Sequence, residues 1–263
     1  MLMHPSMLAN TIEYAAINAS FTSSDVTTWL PSKKFSRIAI VGSGPSARVM
    51  FNKDIRYDTL VMGNQSFPTN VPPDVLVLTD SSPAVGEKIS WMSMDTPVFA
   101  STTVDPWIYR HFINTYSFIH TPNHQNDPGL RGVAAYLELM APKLQTFVIQ
   151  AGCSLNAAVI LAVHLMNRNI IPKVPIHLVG MDFAYESPKV KRIDDYEESG
   201  EIIHDHYGRL TSQALLSYAG DLKKIVEAFE PEGFEFYAEP FSERLTDTFV
   251  TERSLLWQDP ETL

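Results

Sequence analysis

The stretch Gln150–Tyr185, QAGCSLNAAVILAVHLMNRNIIPKVPIHLVGMDFAY, restricts the fold more than any other part of the chain. Gly152 allows a sharp turn and Ser154 is a preferred helix N-cap, so the spacing predicts a helix starting there. From Leu155 to Met166 the residues are apolar almost all round, with only Asn156 and His164 as exceptions. A helix without a polar face has to be covered on both sides, which makes this one central. Ile176, Leu178 and Val179 then form a short apolar strand that runs out at Gly180-Met181-Asp182. Open α/β sheets bind ligands beyond the carboxyl ends of their strands. Asp182 and Tyr185 therefore fall where chemistry is expected; the plainer reading is that Asp182 caps the next turn and Tyr185 fills core.

The preceding residues repeat this logic. A first strand, Arg37–Val41, runs into Gly42-Ser43-Gly44-Pro45-Ser46-Ala47, a strand, glycine turn and helix order suited to phosphate. The turn fits G-x-G-x-x-A, but Pro45 removes an amide that a phosphate cradle would use. The second strand, Thr59–Met62, ends in Gly63-Asn64-Gln65 and lacks the acid that holds a nicotinamide ribose. The reading is a nucleotide turn and not an NAD turn, with a ligand-free tight turn as its plain alternative. A third strand over 74–79 ends at Asp80, suited to a metal, a ribose or a loop amide. Further strands are expected at Pro97–Ala100, Tyr116–Ile119 and Phe234–Ala238. Helices are expected within residues 8–30, over Val133–Met140, over Ser212–Phe229 and over Phe241–Trp257. The alternation predicts an α/β fold with a doubly wound, mostly parallel, Rossmann-like sheet and flanking terminal helices. The corresponding division is an N-terminal helical segment (1–34), a nucleotide-binding catalytic domain (35–240) and a C-terminal helical tail (241–263).

Two segments read as loops near the site. HTPNHQNDPGLRG, from His120 to Gly132, is polar and turn-rich; His120 and His124 lie i, i+4 but outside any helical pattern, so they do not read as a metal pair. ESPKVKRIDDYEESGEIIHDHYGRLTSQ follows Tyr185 and carries His204 and His206 just before a helix. Loops of this length are often lids, and a histidine near its ordinary pKa suits general-base work. An exposed histidine without a role is the alternative at each position.

Composition bounds the partners. The 263 residues carry a net charge of -10, with sequence pI ≈ 5.2, so nothing global favours a nucleic-acid backbone. Lys189, Lys191 and Arg192 form the one dense basic cluster, read as a solvated loop. The single cysteine, Cys153, excludes an intramolecular disulfide and fits a reducing compartment. No apolar run reaches the roughly 18 residues of a membrane helix. The first residues lack the pattern of a secretion signal, so a cytoplasmic protein without a membrane span is expected. The apolar N-terminal helix and the aromatic C-terminal one are suited to a homo-oligomer.

GSGPSA, GNQSF, AGCSLNAAVILAVHL, IHLVGMDFAY and HDHYGRLTSQALLSYAGDLKKI occur in one order. As a set they resemble the superfamily of motility accessory factor glycosyltransferases, bacterial sialyltransferases and archaeal 6-hydroxymethylpterin diphosphokinases. The sialyltransferase resemblance implies a glycosyltransferase that uses a nucleotide-sugar donor, here a CMP-linked nonulosonic acid, and a small-molecule, glycan or protein acceptor. It implies a nucleotide held by Gly42, Ser43, Gly44, Ser46, Asn64 and Gln65; the strand ends and glycine turns themselves add Asp80 and the turn Gly152, Cys153, Ser154 and Asn156 to the expected site. Ser43 stands where Asn is common. Tyr185, beside Asp182, would assist the leaving phosphate, and His206, with His204 second, would be the base, without a metal or other cofactor. The diphosphokinase resemblance implies instead Mg²⁺ on Asp80 and Asp182, bridging the phosphates transferred to a pterin-like or nucleobase-like acceptor. A non-catalytic nucleotide-binding module is the third reading.

Overall fold

Strand β1 (Arg37–Val41) is buried from Ile38 onward, the signature of a parallel strand covered on both faces. β2 (Thr59–Gly63), β3 (Val75–Leu78) and β4 (Val98–Ser101) are buried throughout. These strands come from a computed structural model that describes residues 5–18, 21, 29–44, 47, 58–67, 72–121, 148–183, 202–204, 210–238 and 243–244. Its other strands are β5 (Thr115–Thr121), β6 (Val148–Gln150), β7 (Ile176–Val179), β8 (Ile203–His204), β9 (Leu210–Thr211), β10 (Phe236–Ala238) and β11 (Glu243–Arg244). Its helices are α1 (Pro5–Asn18), α2 (Ala84–Ile89), α3 (Pro106–His111), α4 (Ser154–Asn167) and α5 (Gln213–Phe229), with a 3-10 turn at Glu230–Glu232.

The chain divides into two compact units. One holds Met1–Ser32, Met62–Gln65 and Pro72–Pro172, with strand order β2-β3-β4-β5-β6, all pairs parallel. The other holds Lys33–Val61, Ser66–Val71 and Lys173–Leu263, with order β11-β10-β7-β1-β2. There β10, β7 and β1 pair in parallel, and β11 pairs antiparallel with β10. Strand β2 is divided between the units after Val61. The architecture is the expected Rossmann-like α/β one, mostly parallel and flanked by helices.

Each unit has its own core. In the first, Leu76 and Leu78 of β3 pack with Val85, Ile89, Ile108 and Phe112. Tyr109 of α3 is buried there; its hydroxyl donates to Ala100 O (3.1 Å) and accepts from Ser117 Oγ (3.0 Å). Burial pushes that phenol well above its ordinary pKa, against a smaller lowering by the Ser117 bond. Trp29 stands edge-on to Phe99, with ring centroids 5.2 Å apart. In the second unit Ala39, Val41, Ala47, Val61, Phe67 and Val179 pack together.

Several elements depart from the sequence expectations. Helix α1 ends at Asn18, and Trp29 and Leu30 lie outside any helix, with Leu30 exposed. Helices α2 and α3 were not expected. Asp105 caps α3, its carboxylate accepting from Trp107 N (2.8 Å) with Pro106 next in line. This is a short helix start that Asp-Pro spells out. A helix was expected over Phe241–Trp257, but Glu243 and Arg244 form β11, which satisfies part of the edge of β10. His204 was expected in a loop and lies in a two-stranded ribbon of β8 and β9. The helix over Val133–Met140, the rest of the 120–132 segment and the tail beyond residue 244 lie outside the described residues.

Candidate functional site

In the second unit the strand order places β1 between β7 and β2, so the chain changes winding direction beside β1. Such a switch point is where open α/β sheets take ligands. The turns after β1 and β7 are interlocked there. Gly42 N donates to Val179 O (2.7 Å) and Gly44 N to Gly180 O (2.9 Å). A Cβ on Gly44 would run into the Asp182 carboxylate and would stand 2.6 Å from Gly180 O. Gly180 has φ +63, and a Cβ there would stand 2.7 Å from Ala47 Cβ. Both glycines are thus required by the protein's own packing, before any phosphate is considered.

Asp182 is 3% exposed, held on the face of Gly44. Phe183 follows in the left-handed region, φ 49, which costs a residue with a Cβ about 1–2 kcal/mol. Its carbonyl accepts from Thr211 Oγ1 (2.7 Å), and Thr211 is completely buried. The next residue, Ser212, caps α5 by accepting from Leu215 N (3.3 Å). His204, opposite Leu210 in the ribbon, is exposed. Ser46, Tyr185 and His206 lie outside the described residues, His206 in the connection between β8 and β9.

The first unit holds the start of α4 and the candidates Asn64, Gln65 and Asp80. Ser154, expected as the N-cap, is instead the first helical residue, and Cys153 is the cap, with extended backbone and no side-chain cap bond. The reason is a competing partner: Ser154 Oγ shares a 2.7 Å hydrogen bond with Thr79 Oγ1 at the end of β3. The first intrahelical bond is Ala157 N to Cys153 O (3.0 Å), so the amides of residues 154–156 have no acceptor within the helix. No acid stands in that first turn. A 14-residue helix without a side-chain cap therefore presents the positive end of its dipole at this turn. Asn156 is fully buried, while Gly152 and Cys153 are half-buried.

Asn64 is buried after β2, and Gln65 beside it has Oε1 enclosed without a hydrogen-bond partner. Asp80 is half-buried, and its Oδ1 accepts from Ser82 N (2.8 Å), the loop-amide role among its alternatives. His120 is buried with Nε2 2.9 Å from Ala151 O, a contact that ties the end of β5 to the turn before α4. Among the described residues no group of three or more His, Cys, Asp or Glu is placed to hold a metal. No described helix is long and apolar enough to cross a membrane. The bonds that Thr79 and Thr211 make were not read from the sequence. A Thr one residue past an apolar strand, or just before a helix cap, is the signal each carries.

The chain is similar to a MAf glycosyltransferase from Magnetospirillum magneticum AMB-1, with TM-score 0.56 and 16% identity over 86% of this chain. It spans 35% of the length of that glycosyltransferase. No protein-family model and no curated protein matches the chain.

Proposed function

We propose that the chain is a transferase of glycosyltransferase type that binds the phosphate of a nucleotide donor at the start of α4. The observation that carries this is the uncapped helix start at Cys153–Ser154, held by Thr79 beyond the end of β3 and free of acids in its first turn. The likeness of fold to a MAf glycosyltransferase supports the class. The particular reading is transfer from a CMP-linked nonulosonic acid, as the motif order implies. The amides of α4 stabilise the charge that builds on the departing phosphate. The motif order implies His206 as the base, with His204 as the second candidate, and Tyr185 as the residue that assists the leaving phosphate. Asp182 orients that strand end. Asn64 and Gln65 contact the nucleotide, and no metal enters the scheme.

Thermal shift and calorimetry with CMP, CDP, UDP, GDP, GTP and ATP, each with and without Mg²⁺, test the reading. A ligand that binds only the folded state raises its melting temperature by mass action. Stabilisation by CMP without metal is the expected result. Stabilisation only by a triphosphate with Mg²⁺ moves the assignment to diphosphoryl transfer. No response to any nucleotide removes the reading.

A further inference from the structure

We propose that Thr211 is a positioning residue that couples the histidine ribbon to the Asp182 turn, so that these two segments of one unit open and close together. The functional consequence rests on the transferase reading; the coupling itself does not. Thr211 is 0% exposed and its hydroxyl donates to the Phe183 carbonyl at 2.7 Å, across 28 positions of sequence. A buried hydroxyl is costly unless it is bonded, and valine has nearly the same shape, so the hydrogen bond is what the hydroxyl adds here.

The bond joins two otherwise separate constructions. On one side, Thr211 pairs with Ile203 and Leu210 with His204, so the base of the ribbon is fixed through β9. Ser212 anchors the same point to α5. On the other side, the left-handed Phe183 follows Asp182, whose carboxylate lies against Gly44. Swinging the Phe183 backbone to its ordinary extended range would turn its carbonyl away from Thr211. The left-handed conformation and the threonine bond therefore support each other. His204 in β8, Thr211 in the paired strand β9, Phe183 and Asp182 are linked in this order by strand pairing, the threonine bond and chain continuity within one unit. A transferase needs its base and its leaving-group residues in register when the donor is bound. Thr211 supplies that register by tying the chain on either side of the 184–201 segment.

Hydrogen exchange read by mass spectrometry on the full chain tests the coupling in wild type, Thr211→Ser and Thr211→Val. Thr211→Val is expected to accelerate exchange in peptides covering 176–183 and 203–212 by a common factor of about ten or more. Peptides of α4 are expected to stay at the wild-type rate, and Thr211→Ser is expected to restore both segments. If Thr211→Val does not fold, Thr211→Ala reads the same bond without placing a methyl against the carbonyl. Acceleration confined to 203–212 makes the bond a local ribbon contact and overturns the proposal. Equal acceleration that includes α4 makes it a global stability residue and overturns it too. A second readout uses hydrolysis of CMP-N-acetylneuraminic acid. Thr211→Val is expected to lower kcat about tenfold or more while CMP affinity stays within about threefold, with recovery in Thr211→Ser. Unchanged kcat despite accelerated exchange overturns the functional consequence. A wild type that neither binds CMP nor hydrolyses this donor removes the transferase reading, and the exchange result still decides the coupling.

Discussion

The interlocked turns after β1 and β7 and the start of α4 hold their positions by opposite means. At Gly44, Gly180 and Asp182 the chain is fixed by close contact, with no room for a single added carbon. At Cys153 and Ser154 it is fixed by a hydroxyl pair, while the first helical turn lacks a side-chain cap. The first construction is rigid because it is full. The second lacks a side-chain cap because the serine hydroxyl that would have supplied one bonds elsewhere. A glycine-rich turn is therefore weaker evidence for a phosphate in this protein than an uncapped helix start is.

The contrast can be broken most violently at the glycines. Gly44→Ala forces its Cβ against the Asp182 carboxylate and against the Gly180 carbonyl, which is backbone and not a flexible side-chain end. Overpacking of this kind costs about 1–3 kcal/mol or more. Gly180→Ala adds the left-handed penalty of about 1–2 kcal/mol to its own close contact. Urea denaturation should place both variants well below wild type. A melt unchanged by Gly44→Ala would show that the turn is not packed as described.

A smaller effect separates stability from binding at α4. Cys153→Asp supplies the missing cap and a charge that suits the helix dipole, worth about 1 kcal/mol of added stability. The same carboxylate occupies the amides and repels phosphate. Nucleotide affinity should fall about tenfold or more, equivalent to roughly 1.4 kcal/mol, while the melting temperature rises. Stability and affinity rising together would count against phosphate at this helix.

The hydroxyl pair gives a milder test. Ser154→Ala leaves the Thr79 hydroxyl, 9% exposed, without its partner and should cost roughly 1 kcal/mol. Thr79→Val should cost about the same, and the double variant less than the sum of the two, because no lone buried hydroxyl then remains. Additive losses in a thermodynamic cycle would mean that the two side chains act separately.

The mildest effect comes from His164, half-buried on α4. Burial first, and Arg168 second, hold its pKa below the ordinary 6.5. The folded chain therefore binds this proton less readily than the unfolded chain. The stability contributed by neutral His164 is complete above pH 6.5 and is lost as pH falls through 6.5 toward the lower folded value. His164→Gln should flatten the stability profile below pH 6.5 and leave it unchanged above; a slope that persists in the variant would assign it to other groups.

Much of this fold was legible because burial on two faces leaves a mark in sequence. β1 was read as Arg37–Val41, the bounds that the structure shows, and the apolar run Leu155–Met166 lies within α4. Helix α5 was also visible, since Ser212 is a cap residue and an amphipathic run follows it. The short helices α2 and α3 went unread because six residues cannot display a helical period, although Asp105-Pro106 marks the start of α3. The ribbon of β8 and β9 went unread because two-residue strands have no alternation to display.

What the sequence determined by itself is the order of the buried parallel strands and of the long helices α4 and α5, and the segments that end at strand carboxyl ends. Those follow from local patterns of burial, caps and turns. The tertiary structure alone decided what the individual side chains there do. Ser154 spends its hydroxyl on Thr79, Gly44 makes room for Asp182, and Thr211 reaches Phe183. Each of these pairs is far apart along the chain, and no local pattern encodes which distant atom a hydroxyl will meet. A buried polar group must find a partner somewhere, and only the folded chain says where.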